Sequence, residues 1–496
     1  MKLNYKKTIL VGFAFFLISA FWQAYDAIVP LILTNHFGLP QAASGTVMSF
    51  DNILAVFMLP IFGALSDKIN TRYGKRTPFV FIGTIAAVIA FVALTFIDNY
   101  QLTPILSSGI PELYAEADSV RDAAYKLMQE ARATGNEVLV ATAREQIALA
   151  DSMFEEVRQL AFNITLNNVL PLVGFIVALL LALVSMATFR SPAVALMPDV
   201  TVKPLRSKGN AVINLMGTAG GIIVLVLGMI FSTSSIYMQY SWYVIAVCAV
   251  MLIGLTIFVL TVKENRWAAD MVADTQKYGL AEKIGDTDDQ NDVKRRLSKA
   301  EKASLLLILA SVALWYIGYN SITSKYSVYA SNELGCDYNL TLIIAQAAAI
   351  ISYIPVGIIS SKLGRRKTIL TGIVILASAF IIGNFINPGV SELVMYPVFI
   401  LAGIGWATIN VNSFPMVVEL AKGGDVGKYT GYYYTASMSA QIVAPILSGA
   451  LYDLFGMRNV FFVFGAVFVV ASFVTMFFVK HGDSLPEAAE VLDNID

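Results

Sequence analysis

The chain has 496 residues, of which 57% are hydrophobic and 14% charged, with a formal net charge of -1 and a mean hydropathy of +0.68. Soluble domains carry about a quarter charged residues, so this composition excludes an ordinary globular protein and calls for repeated passage through a membrane. Near-balanced charge gives no reason to expect nucleic acid as a partner, and two cysteines, Cys248 and Cys336, supply neither a disulfide framework nor a thiolate metal site.

Lys2, Lys6 and Lys7 precede an apolar run that imitates a secretory signal. The run continues through Trp22 to Leu33, too long for a cleaved segment, and reads as the first spanning helix. Further apolar stretches of about 20 residues give twelve expected spans, at 8–34, 45–66, 77–97, 168–198, 209–232, 240–262, 303–328, 339–360, 368–386, 392–419, 428–452 and 458–480. Between the second and third lies the basic turn running from Pro60 to Phe79. Its Lys68, Arg72, Lys75 and Arg76 sit close to two helix ends, where positive charge resists translocation and marks the cytoplasmic side. Gly74 permits the turn and Pro78 suits the first turn of the following helix. With that turn inside, most of the 34 Lys and Arg share its side, and both termini are cytoplasmic.

Two connections are long. Residues 98–166 carry Leu113, Leu127, Leu139, Ile147 and Phe154 at helical spacing and read as an outer helical hairpin broken near Thr134-Gly135-Asn136. A structural cap and a lid or partner-docking arm are both open readings of it. Residues 263–302 read as a solvated cytoplasmic linker with an acidic cluster, Asp286, Asp288, Asp289 and Asp292, before Lys294-Arg-Arg296; Trp267 beside Arg266 suits an interfacial helix. The expected organisation is an N-terminal six-helix half at 1–262, the linker at 263–302, a C-terminal half at 303–482 and a cytoplasmic tail at 483–496. An internal echo supports two halves: Gly357 to Thr368 repeats the basic turn, and Pro415 to Leu420 repeats Met197-Pro-Asp199-Val200.

This arrangement, with Gly63-x-x-x-Asp67 followed by Arg72-x-Gly74-Lys75-Arg76, resembles the major facilitator superfamily. The longer motif through Pro78-Phe79, together with Arg190 to Asp199, Arg206 to Asn210 and Tyr429 to Gln441, is similar to the glycoside-pentoside-hexuronide:cation symporters and the sucrose-type solute carriers. The resemblance implies an all-α, twelve-helix fold and cation-coupled movement of a sugar through a site exposed alternately between the halves. Sodium-site acids of the melibiose-type pattern fall on Ala55, Leu59 and Arg190, none of them anionic, which favours protons as the coupling ion.

Charge within a span costs about 2.5 to 3.5 kcal/mol even on lenient scales, so each such residue is a functional candidate. Asp26 and Arg190 each lie roughly 15 Å deep and are expected to pair, either as a proton-coupling site or as a static ion pair. Trp22 and Gln23 share the helical face of Asp26. Asp51 is a further coupling candidate, or a solvated vestibule acid, and Asn52 is a binding candidate. Asn214 in span five joins the expected substrate site. In the second half Tyr316, Asn320, Gln346, Tyr353, Trp406, Asn410 and Gln441 offer amides and aromatic rings with almost no charge, which fits a neutral, hydroxyl-rich substrate. Lys325 is expected to snorkel at the outer end of its span. In the second basic turn Ser361 replaces Asp67, so Asp67, with Arg72 and Arg76, is read as an inner gate latch that holds the halves together, by meeting a helix N-terminus or a neighbouring base such as Arg72.

The leading reading is a proton-coupled symporter of a sugar or glycoside in the plasma membrane, monomeric and without a cofactor. A carrier of a lipid or other amphiphile is the alternative, and a non-transporting membrane sensor is the alternative of another class. Enzymatic chemistry has no support: no phosphate-cradling Gly-Lys-Ser/Thr loop occurs, and the two histidines, His36 and His481, lie far apart in sequence.

Overall fold

The computed structural model describes residues 3–202, 205–277, 298–387, 392–420 and 426–482. The acidic cluster and Lys294-Arg-Arg296 of the linker, and the tail at 483–496, lie outside the described residues. Among the described residues every regular element is helical, apart from an isolated bridge between Thr71 and Gly74 in the basic turn. Helices are what hydrocarbon permits, because each satisfies its backbone polar groups internally.

The helices are α1 (Tyr5–Leu31), α2 (Gln41–Met48), α3 (Phe50–Lys68), α4 (Thr77–Ser107), α5 (Ile110–Thr134), α6 (Glu137–Asn167), α7 (Leu170–Val200), α8 (Arg206–Ile230), α9 (Ser241–Thr261) and α10 (Glu264–Lys277). After them come α11 (Lys299–Thr323), the short α12 (Tyr326–Val328), α13 (Tyr338–Leu363), α14 (Arg365–Gly383), α15 (Met395–Glu419), α16 (Val426–Phe455) and α17 (Met457–Phe477). Among the described residues eleven helical segments are long and apolar enough to cross a membrane, and α13 carries a shorter apolar run, Tyr338–Tyr353. Ten of the twelve expected spans therefore fall on one helix each, while 45–66 is divided between α2 and α3 and 303–328 between α11 and α12.

Two compact units emerge. The first holds the described residues of Met1–Ala281, Lys325–Leu340 and Asn387–Val390; the second holds those of Glu282–Ser324, Thr341–Ile386 and Ser391–Asp496. In the first, α1 packs on α8, α4 on α7, and α3 on α7. The α1 and α8 backbones approach so closely that a Cβ on Gly220 would come 2.5 Å from the Phe16 carbonyl oxygen, a contact that only glycine avoids. In the second, α14 packs on α15 and α17, and α11 on α16 and α17.

Lys325 departs from expectation. It is fully buried, and its Nζ donates to Ser44 Oγ at 2.6 Å. The chain turns at Ser324, after α11, and folds Lys325–Leu340 into the first unit, so the ammonium meets a hydroxyl within protein instead of reaching for water.

The hairpin between α4 and α7 is α5 and α6, with Gly135 in the left-handed region (φ 65) closing one helix and the Asn136 side chain capping the next. Its seam is mainly alanine: Ala117, Ala124 and Ala131 on α5, with Ala143, Ala150 and the larger Val157 on α6, are all buried. Seven-residue spacing keeps these on one face of each helix. Leu113, one of the larger residues expected to form the apolar stripe, is 39% exposed; small side chains allow the closer approach. Ala124→Leu is therefore expected to destabilise the hairpin by about 1–3 kcal/mol through overpacking. Thermal unfolding of the purified protein in detergent checks this, with the exposed Ala123→Leu leaving the midpoint unchanged.

Candidate functional site

From Phe15 to Asp26 the residues of α1 that are not fully buried are Phe15, Ile18, Ser19, Trp22, Gln23 and Asp26. Their three- and four-residue spacing makes one face. Asp26 is the exposed member of this stripe, so a carboxylate deep in a span opens onto accessible space. The Arg190 guanidinium of α7 lies 5.6 Å from the centroid of the Trp22 ring, a cation–π contact. Asp51, at the start of α3, accepts from Asn52 Nδ2 at 2.7 Å and lies within electrostatic reach of both Asp26 and Arg190. Trp22 Nε1 and the Tyr25 hydroxyl are buried without a protein hydrogen-bond partner. Arg190 thus lies against Trp22 and within reach of Asp51, and Asp26 within reach of Asp51; the expected pair is Asp26 with Arg190, whereas the charge acting on Asp26 is that of Asp51. Asn214 is exposed on α8.

The second unit assembles an aromatic and amide cluster by itself. Tyr319 stacks on Trp406 at 5.9 Å, Tyr353 meets Trp406 edge-on at 6.4 Å, and the Tyr353 hydroxyl is hydrogen-bonded with Asn410. The Tyr316 and Tyr433 hydroxyls lie 3.5 Å apart. Asn320 and Gln441 behave differently, each donating its side-chain amide to a carbonyl one turn back on its own helix, that of Tyr316 at 2.8 Å and that of Ser437 at 3.2 Å. Gln346 is half-buried on α13.

The basic turn is a node of charge. Arg76 Nη2 meets Asp67 at 2.5 Å and its Nε donates to Asp199 at 2.8 Å, while Nη1 donates to Ser66. Burial opposes the positive charge, but Asp199 and then Asp67 outweigh it and hold the guanidinium above its ordinary range. The neighbouring base that meets Asp67 is therefore Arg76; Arg72 lies over the Tyr73 ring at 4.6 Å. Beneath the turn the buried carboxylate of Glu264 accepts the backbone N–H groups of Lys75 (2.6 Å), Arg76 (2.9 Å) and Thr77 (2.9 Å), and the Thr77 hydroxyl at 2.8 Å. It closes the N-terminus of α4, where exposed amides and the helix dipole favour an anion. Gly74, at φ 119, must lack a Cβ because one would collide with this carboxylate. Sequence reasoning missed Glu264, placing it in the linker; its one signal is an acid at the first position of a short helix directly after a span.

The second basic turn is anchored otherwise. Arg366 donates to the Phe477 carbonyl at the end of α17 and packs over the Phe477 ring at 5.8 Å.

Sequence reasoning also missed a buried pair. After Pro30, α1 widens into a π-helical run, Ile32–His36, which carries His36 onto Asp98 of α4. His36 Nδ1 lies 2.6 Å from Asp98 Oδ1, with both side chains fully buried, and Nε2 lies 3.2 Å from the Ile236 carbonyl. A carbonyl only accepts, so Nε2 is the ring nitrogen that donates to it, and Nδ1 faces the Asp98 carboxyl group. α4 accordingly runs past the expected end of its span at 97, with Gln101 Nε2 donating to the His36 carbonyl at 3.1 Å and to Thr165 at 2.8 Å.

Residues 160–421 and 337–492 match the family described as Major Facilitator Superfamily, and residues 10–103 match one described as MFS/sugar transport protein. An uncharacterised MFS-type transporter of Methanocaldococcus jannaschii is 22% identical over 36% of this chain and 46% of its own. An uncharacterised symporter of Synechocystis is 32% identical over 14% of this chain and 13% of its own. The chain thus spans less than half the length of these relatives. In fold it is similar to the inward-open xylose transporter of E. coli, with a TM-score of 0.61 at 12% identity over 99% of both chains. A D-xylose-proton symporter gives a TM-score of 0.60 at 13% identity, over 97% of this chain and 99% of its own.

Two outcomes check this geometry. Glu264→Ala is expected to lower stability by about 1.5–3 kcal/mol, the worth of a charge-assisted bond, in thermal unfolding, with Glu264→Gln recovering part and the exposed Lys263→Ala neutral. Asp98→Ala, which strands His36 in a buried site, is expected to be more damaging than the double replacement His36→Leu with Asp98→Leu, which removes both polar partners; expression and unfolding temperature report the order.

Proposed function

The chain belongs to the Major Facilitator Superfamily and is a multi-pass membrane transporter of small molecules, and from that premise we propose that it carries a sugar or glycoside together with a proton by alternating access. The observation that carries this reading is Asp26, a carboxylate deep in α1 that is nevertheless exposed. An acid there exchanges a proton with whichever side its surroundings open to. Arg190 over Trp22, with Asp51 and Asn52 close by, supplies the field that changes when Asp26 gains or loses charge. The orphaned Trp22 N–H has no protein acceptor and is available to a substrate hydroxyl.

The substrate class rests on the second unit, where Tyr316, Tyr353, Trp406 and Asn410 provide rings and amides. Apolar ring faces and neutral hydrogen-bonding groups match a sugar. The fold neighbours include a D-xylose-proton symporter, and the chain's Ala55, Leu59 and Arg190 are poor sodium ligands. The protein acts as a monomer in the plasma membrane with both termini cytoplasmic, and needs no cofactor beyond the coupling proton.

Cells or vesicles carrying the protein are expected to alkalinise the medium when the right mono- or disaccharide is added, and Asp26→Asn to abolish the signal while leaving the protein folded. Sugar-dependent proton uptake of wild-type size in Asp26→Asn would contradict the assigned role.

A further inference from the structure

A second polar cleft, remote in sequence from Asp26, lies in the first unit where the hairpin meets the loop between α8 and α9 and the turn after α12. Tyr114 and Asp118 of α5, Tyr237 of the loop, and Ser331, Cys336 and Asp337 of the turn line it, and its volume is about 380 Å³. That falls within the ~300–1,000 Å³ of small-molecule sites. Ser234 and Ser235 add hydroxyls from the loop.

Three observations mark it as a built site. Ser331 is only 5% exposed, yet its buried Oγ has no protein hydrogen-bond partner. The Tyr114 and Tyr237 rings meet edge to face at 5.7 Å, and burial pushes both hydroxyls up, so they stay protonated, that of Tyr114 donating to the Asn332 carbonyl at 3.5 Å. The walls are held by a buried cation: Arg121, 3% exposed, pairs with Asp118, donates to the Asn332 carbonyl, and stacks 4.5 Å from the Phe154 ring. Asn332 in turn exchanges hydrogen bonds with Asn35 at the end of α1, at 3.2 and 2.7 Å.

The lining disfavours an anion. Asp118 is already paired with Arg121, and Asp337, which accepts from the Asn339 backbone and side chain at 2.8 and 2.7 Å, repels one. Hydroxyl donors, carboxylate acceptors and two ring edges suit a neutral molecule rich in hydroxyls. We propose that this cleft is an outer binding site for a neutral, hydroxyl-rich solute of the same class as the transported substrate, occupied outside the membrane before the solute reaches Asp26. The assignment of ligand class rests on the sugar-transport reading.

Cys336 is a native reporter, since it is half-buried in the cleft wall and outside any disulfide, whereas Cys248 is 4% exposed in α9. Its reaction with a membrane-impermeant maleimide is followed in intact cells with and without D-xylose, D-glucose, D-galactose, sucrose or maltose, against an osmotically matched betaine control. Ser235→Cys, on the loop between α8 and α9 that also lines the cleft, is a second reporter. Binding in the cleft is expected to slow labelling at least threefold with the sugar that drives proton uptake, equally in Asp26→Asn, and to be weakened in Ser331→Ala and Tyr237→Phe.

A transported sugar that leaves both reporters' rates unchanged overturns the cleft and spares the transport reading. Protection by a sugar that drives no proton movement upholds the cleft and counts against that reading. Protection that disappears in Asp26→Asn, or that persists at full strength in both cleft variants, overturns the cleft, as does a panel in which no sugar protects either reporter.

Discussion

Glu264 shows the constraint under which the first unit is built: a charge or an amide taken out of water must find a partner in the protein. α4 begins where the chain leaves the aqueous side, and its first N–H groups have no helical acceptors. One carboxylate from α10 takes those of Lys75, Arg76 and Thr77. The same turn presents the Arg76 side chain to Asp67 and Asp199, so the ends of α3 and α7 and the starts of α4 and α10 share one charge network. At the other end of α4 the logic recurs with Asp98, His36 and the Ile236 carbonyl. A helix held by polar contacts at both ends is a stiff strut, and α7 and α9 pack along it.

The charges in the spans are unequally shared. In the first unit Asp26, Asp51 and Arg190 gather in one region around Trp22. The candidate residues of the second unit are tyrosines, a tryptophan and amides, held by ring contacts and neutral hydrogen bonds. A proton-binding group needs a neighbouring charge to tune it, whereas a sugar-binding surface needs rings and neutral polar groups that give no strong preference for ions. On the proposed reading, each unit carries the chemistry suited to one of the two tasks.

The helical architecture was legible because twenty-residue apolar runs and a one-sided distribution of Lys and Arg are long, redundant signals. Asp26 and Arg190 were legible for the opposite reason, as rare charges within such runs. What escaped notice depends on contacts between residues distant in sequence. Glu264 looks like any linker acid until the turn at Gly74 is placed over it, and His36 stays an isolated histidine until a π-helical run brings it to Asp98. Lys325 reads as a residue near a span end, but the chain turns before it and buries it against Ser44. In the hairpin, larger leucines drew attention away from alanines, because apolar periodicity weights size while close helix packing rewards its absence.

The central claim is that sugar movement is coupled to protons. It is tested most directly in proteoliposomes holding the purified protein, with equal sugar concentrations on both sides and an imposed pH gradient. Coupling predicts that sugar accumulates on the alkaline side above its starting concentration and that the accumulation collapses when a protonophore dissipates the gradient. Exchange of labelled sugar without net accumulation at any imposed gradient would contradict it.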